Sequence, residues 1–298
     1  CRPADLSPTQ RAELTGYFTT QVLPVLTPLA VDQAHPFPIL NSGSIEIAVS
    51  MKPADRKKLV YAFVEAPDVL PRFIEVPGTL PGRTFVLLED VIMDNLGALF
   101  SGCEIEEFFP FRVTRDMDFS VEDEGAEDLL QSIEKKLLQR RHREPIRVEL
   151  LTNTRGPLAR WLEQEFRLDD QFWYAVRGPL HLKQFFELVG KARLPELLEP
   201  AWPPVEPAAF SEHNSVFEAI AAKGTILIAP PFHSFSPVVR LLRQAADDPD
   251  VLAIKQTLYR VSGNSPVVRS LQRAAENGKQ VTVVVELKAR FDEGNNIA

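Results

Sequence analysis

Apolar residues along this chain recur with two periods, and the switches between them mark its elements. Residues 7–21 follow helical spacing, with Leu14, Tyr17 and Phe18 on one face and Ser7-Pro8 as the start signal. A proline-broken, extended stretch follows, in which Ile45, Ile47 and Val49 alternate as in a half-buried strand. Residues 57–76 read as a strand, a loop and the short run RFIEVP. Residues 85–100 have helical spacing at Leu88, Val91, Ile92, Leu96 and Leu99, with Glu89, Asp90 and Asp94 on the other face. Three carboxylates can mean acid–base work or a metal. No His or further Asp follows at ligand spacing, so a solvated helix face is expected.

Residues 104–118 read as a strand carrying Arg112 and Arg115, which are expected to pair with Asp116 and Asp118. Residues 123–142 read as a helix ending in the basic run KKLLQRRHRE. Cations there answer the helix dipole and need no polyanion. A strand at 145–151 and a helix at 158–166 follow, with Trp161 and Phe166 in the core. A short helix at 217–222, a strand at 225–229 and a helix after PPFHSFSP open a second domain.

The last part of the chain carries the chemistry. Residues 251–254 are a short apolar run, and 280–287 contain Val283, Val284 and Val285 consecutively. Apolar residues without alternation predict parallel strands covered on both faces. Between them, Pro266 starts a helix and Asn277-Gly278 stops it. Lys255 and Arg260 close the first strand, and Lys288 and Arg290 close the second. Ligands of open parallel sheets bind outside the carboxyl ends of the strands. Guanidinium groups grip phosphate bidentately and stay charged. Any one of these cations could instead pair with Glu286, Asp292 or Glu293. Arg260 and Arg290 together, after neighbouring strands, favour phosphate.

The segments KQTLYR, SGNSP and AAENGKQVTVVVELKARFDE resemble the first catalytic domain of the long, phosphohistidine-type polyphosphate kinases, over about residues 226–296. VLPVLTPLAVD, HPFP, FRVTRDMD and HLKQFFELV resemble the head domain of that family. The resemblance implies an α/β chain, with a mixed α+β head followed by the start of a phospholipase-D-like α/β domain. It places the head at 1–207, its first residues a remnant of a link from an N-terminal helical domain, and the catalytic domain at 208–298. It implies reversible transfer of the ATP terminal phosphate to inorganic polyphosphate. Arg260 and Arg290 would hold nucleotide phosphates and their magnesium, and Lys255 and Lys288 are weaker candidates. Arginine cannot ligate a cation, so magnesium would sit on the phosphates. The family's phosphorylated histidine lies in a His-x-Lys motif, and no His-x-Lys occurs here. His35 and His181 read as structural, and His233 stands at a strand-to-helix turn that matches a variable position. The nucleophile is therefore expected beyond Ala298, on a longer chain.

Composition changes this picture little. Of 298 residues, 45% are hydrophobic and 25% charged, an ordinary globular balance. The net charge of −8 gives no push toward nucleic acid, so a polyanion site must be a local basic patch. The two cysteines are too few for a disulfide framework and fit a reducing cytoplasm. No run reaches transmembrane length and no signal peptide is visible. The expected partners are ATP or ADP, polyphosphate and a second copy through the head; the expected place is the cytoplasm or its membrane face. Two other readings stay open: a non-catalytic dimerisation and polyanion-binding piece, and a phospholipase-D-like phosphodiesterase. The second needs paired His-x-Lys motifs.

Overall fold

The chain is described by a computed structural model covering residues 1–31, 35–54, 58–77, 83–116, 144–259 and 264–286. The described residues divide into two units, 1–116 with 144–197, and 198–286. Both mix helices and strands, so the chain is α/β.

The first unit is built on β2 (Ile45–Pro53), whose alternating side chains feed two separate cores. The chain reaches it through α1 (Pro8–Tyr17) and β1 (Leu29–Val31). Next come β3 (Val60–Glu65), β4 (Phe73–Val76) and β5 (Thr84–Leu87). They lead into α2 (Leu88–Asp94), α3 (Leu96–Leu99) and the long β6 (Cys103–Arg115). The unit closes with β7 (Pro145–Leu151), α4 (Pro157–Phe166), β8 (Trp173–Val176) and α5 (Phe185–Ala192). Six strands form one sheet in the order β1-β3-β2-β6-β7-β8, antiparallel except for the parallel β7–β8 pair.

Ile45, Ile47 and Val49 face one core, with Leu14, Phe18, Val86, Val91 and Ile92. Ala48 faces the other, with Phe63, Phe111, Leu158 and Leu162. Fully burying such a side chain contributes roughly 1.5–3 kcal/mol, so the alternation of β2 anchors both layers. Trp161, expected in the core, is partly buried and stacks on Tyr61 at 3.9 Å.

Two expectations change in this unit. Residues 84–87 are a strand, not the start of a helix, because they pair antiparallel with β4. Arg112 bonds to Glu149 (2.9 Å) and the Gly43 carbonyl (2.8 Å), not to Asp116. The helix expected at 123–142 and the residue Asp118 lie outside the described residues.

The second unit holds α6 (Ala208–Ser211), α7 (Val216–Lys223), α8 (Ser236–Asp247), β9 (Ala253–Leu258), α9 (Pro266–Glu276) and β10 (Gln280–Val285). The strand expected at 225–229 is not a ladder strand. Ile226 and Ile228 still point inward, against Phe210, Val216 and Ala219. Among the described residues the parallel pair is also not covered on both faces. Among the described residues α8 and α9 cover one, and Val284 on the other is 61% exposed.

Candidate functional site

β9 and β10 run parallel and in register, from Gln280 opposite Ala253 to Val285 opposite Leu258. They are joined through α9, so both carboxyl ends leave the sheet at one edge. The local sequence explains each part. Ser265 caps α9 by accepting a hydrogen bond from the Val267 amide at 3.2 Å, and Pro266 supplies the first turn. Gly278 ends the helix at φ +81°, a conformation that favours glycine. Asn277 Nδ2 donates to the Ala246 carbonyl (2.8 Å), and Lys279 Nζ donates to the Val251 and Asp248 carbonyls. These bonds tie the end of α9 to α8 and to the approach to β9. Beneath the strands Leu242, Ala246, Ile254, Leu271 and Ala274 form a small core. The strand ends are thus fixed from below.

Ile254 and Leu258 point into that core, so alternation sends Lys255 and Thr257 to the opposite face. Lys255 is exposed, and its side chain makes no ion pair or hydrogen bond among the described residues. Arg260 stands two positions after Leu258, the last residue of β9. Lys288 and Arg290 stand three and five positions after Val285, the last residue of β10. These three cations lie outside the described residues.

His233 Nδ1 accepts a hydrogen bond from the Ala229 amide at 3.2 Å, which turns the chain toward α8. His181 has φ +51°, and its carbonyl accepts from Arg72 at 3.0 Å. Burial and the Arg112 and Arg72 charges push its imidazole pKa down. No group of three or more His, Cys, Asp or Glu side chains is gathered for a metal among the described residues. No described helix is long and apolar enough to cross a membrane.

The acidic face expected on 85–100 is not solvated as a whole. Arg72, buried at the start of β4, bonds to Glu89 through Nε (3.1 Å) and Nη2 (2.5 Å), and to the Leu180 carbonyl (2.8 Å). Glu89 is equally buried. Asp90 is half-buried, and only Asp94 is exposed. Burial, and next Glu89, push the Asp90 carboxyl up to about 6. Sequence reasoning missed this group because Glu89 and Arg72 meet only once the β4–β5 hairpin forms.

A family model for the polyphosphate kinase middle domain matches residues 9–188. One for the polyphosphate kinase C-terminal domain 1 matches residues 215–298. The chain belongs to the polyphosphate kinase family. The polyphosphate kinase of Exiguobacterium sibiricum is 45% identical over 298 residues, covering 98% of this chain and 41% of the relative. That of Aphanizomenon baltica is 42% identical, covering 98% of this chain and 82% of the relative. The crystal structure of polyphosphate kinase from Porphyromonas gingivalis is similar, with a TM-score of 0.70 at 28% identity, over 97% of this chain and 42% of that one. The chain spans about two fifths of the length of several of the curated relatives it matches.

Proposed function

We propose that this chain is part of an enzyme that moves the terminal phosphate of ATP reversibly onto inorganic polyphosphate. The observation that carries the reading is the parallel register of β9 and β10, whose last residues Leu258 and Val285 lie opposite each other, with Arg260 two and Arg290 five positions further along the sequence. Adjacent strands lie about 4.8 Å apart, a spacing on which two guanidinium groups can share one phosphate chain.

In this reading a histidine outside these 298 residues attacks the γ-phosphorus. A nitrogen–phosphorus bond forms as the bridging bond to the β-phosphate breaks, and ADP leaves with the electron pair. A terminal oxygen of polyphosphate then attacks the phosphohistidine and returns the imidazole. Arg260 and Arg290 donate to the non-bridging oxygens, where charge stabilisation is usually the largest catalytic contribution. Magnesium would add charge neutralisation there, held by the phosphates and not by the arginines, which cannot ligate a cation. Lys288 extends the basic edge along the polymer; Lys255, expected to close the strand, is instead the third of the six residues of β9 and stands back from that end, exposed on the sheet face away from the helices.

We assign residues 1–207 to a head that joins two copies of the enzyme and 208–298 to the start of a phospholipase-D-like catalytic domain. The enzyme works in the cytoplasm, in solution or at the membrane face. Arg260→Ala and Arg290→Ala in the full-length protein should each lower phosphotransfer about 10²-fold or more. The unfolding midpoint should stay in place. Polyphosphate binding without any turnover in the unaltered protein would favour a non-catalytic, polyanion-binding role instead.

A further inference from the structure

Beyond their carboxyl ends β9 and β10 lead to the proposed phosphate clamp, and at their amino ends they are tied together. Three side chains on or just after α9 reach across to α8 and to the turn that follows it. Arg273 Nε pairs with Asp247 at 2.8 Å. Asn277 Nδ2 donates to the Ala246 carbonyl at 2.8 Å. Lys279 Nζ donates to the Asp248 carbonyl and, at 2.8 Å, to the Val251 carbonyl. Arg273 and Asn277 thus hold α8 alone. Of the three, Lys279 also holds the approach to β9, since Val251 stands two positions before Ala253, the first residue of that strand.

Local chemistry explains why a lysine stands there. The last carbonyls of α8 have no partner within the helix, and the helix dipole makes that end negative. Asp247, Asp248 and Asp250 add carboxylates at an end that favours cations. Lys279 is half-buried, and its ammonium group is spent on main-chain carbonyls. It therefore ties backbone to backbone. The next residue, Gln280, opens β10, and its amide donates to the Leu252 carbonyl at 3.0 Å. The axial position of β10 against β9 is set at this point. A strand rises about 3.3 Å per residue and barely stretches, so a slide at Gln280 reappears at Val285 and in the chain beyond it. The outer face of the pair is bare among the described residues, with Val284 exposed, so packing there adds no second restraint.

We propose that Lys279 is a positioning residue for phosphoryl transfer: by tying the start of β10 to the turn before β9, it sets where Arg290 stands along the sheet relative to Arg260. The proposal rests on the reading of those two arginines as a phosphate clamp. Lys279 itself touches no phosphate, because it precedes β10 and the clamp follows the six residues of that strand. The clamp acts on the charge of the transition state, and a displacement of about 1 Å caused far from the chemistry can cost about 10²-fold in rate. Loosening the tie should therefore slow transfer more than it weakens the binding of ATP.

The test is a single turnover of the full-length enzyme with ATP, followed as phosphoenzyme formed per folded molecule. Lys279→Met, which keeps the stem and loses the donors, should slow the step about tenfold or more, with less than about a threefold change in the ATP concentration that gives half the maximal rate. Lys279→Arg, which keeps the charge and the donors, should recover most of the rate. Arg273→Ala, which removes a tie to α8 alone, should stay within about twofold of the unaltered protein. In an Arg260→Ala background, Lys279→Met should add less than about twofold, because the clamp it serves is already broken. If Lys279→Met fails to fold, Lys279→Gln takes its place with the same expectations. A variant at Lys279 as fast as the unaltered enzyme, a slowing matched by Arg273→Ala, or a slowing that multiplies in full with that of Arg260→Ala would overturn the proposal and leave the clamp standing. An unaltered rate in Arg260→Ala would overturn the clamp and this proposal together.

Discussion

Two sets of cations, one in each unit, are held in opposite ways. In the first unit, three arginines are drawn into the structure and matched. Arg72 meets Glu89 and two carbonyls, Arg112 meets Glu149, and Arg115 is buried with its Nε on the Leu40 carbonyl. In the second, Lys255 stands exposed and unmatched on a strand whose outer face is bare among the described residues. The difference teaches where to look for work. A guanidinium whose donors are all engaged holds elements together, and truncating it leaves a buried carboxylate without a partner. An exposed cation whose side chain has no partner keeps its donors for a ligand.

The sharpest way to break this contrast is Arg72→Ala. It should cost about 3–5 kcal/mol of folding stability, because Glu89 would be left buried and alone. Urea unfolding followed by circular dichroism measures it. Lys255→Ala in the same assay should change stability by less than about 0.5 kcal/mol. Equal effects at the two positions would dissolve the distinction between the units.

A second expectation concerns acids in the first unit. Glu46, buried on β2 directly opposite Glu65 on β3, is pushed up to about 8 by burial and then by Glu65. Glu65 itself accepts from Asn41 Nδ2 at 2.9 Å. The folded protein therefore keeps a proton that the unfolded chain loses at ordinary acid pH. Stability should fall as pH rises from about 4.5 to about 8 and level off above, with a slope of at most about 1.4 kcal/mol per pH unit from this one group. Urea midpoints across that range should show the slope in the unaltered protein, and Glu46→Gln should flatten it. A profile identical in both would refute a protonated Glu46.

A smaller effect belongs to the second unit. Ser265→Ala removes the cap of α9 and should cost about 1 kcal/mol, measured as a shift in urea midpoint. Because α9 sets where β10 begins, phosphotransfer in the full-length protein should drop only as far as folding does. A larger loss of activity would mean that Ser265 itself serves the phosphate site.

Much of this fold was legible in the residues. The alternation at Ile45, Ile47 and Val49 announces β2, and Ser265, Pro266 and Gly278 bracket α9 almost to the residue. The failures share a cause. Residues 84–87 carry apolar side chains that suit either period, and pairing with β4 decides for strand. Residues 225–229 look like a strand and bury alternate side chains, yet their backbone finds no ladder. The consecutive valines of β10 promised a sheet covered twice, and the described residues supply helices for one face only. The Glu89 and Asp90 environment needed partners from β4, β7 and α5, which no local pattern encodes. Of the basic edge, the spacing of cations after each strand was legible, and the register of β9 against β10 supplies what the pattern could not, that both ends leave together.

The most direct test is the rate at which the full-length enzyme takes a phosphoryl group from ATP in a single turnover, with Arg260→Ala and Arg290→Ala beside the unaltered protein. If the two arginines clamp the transferring phosphate, an acid-labile, base-stable phosphoenzyme should form about 10²-fold more slowly in each variant. Circular dichroism and urea midpoint should be unchanged. Phosphoenzyme formation at the unaltered rate in both variants would contradict the account and move the phosphate site away from this strand edge.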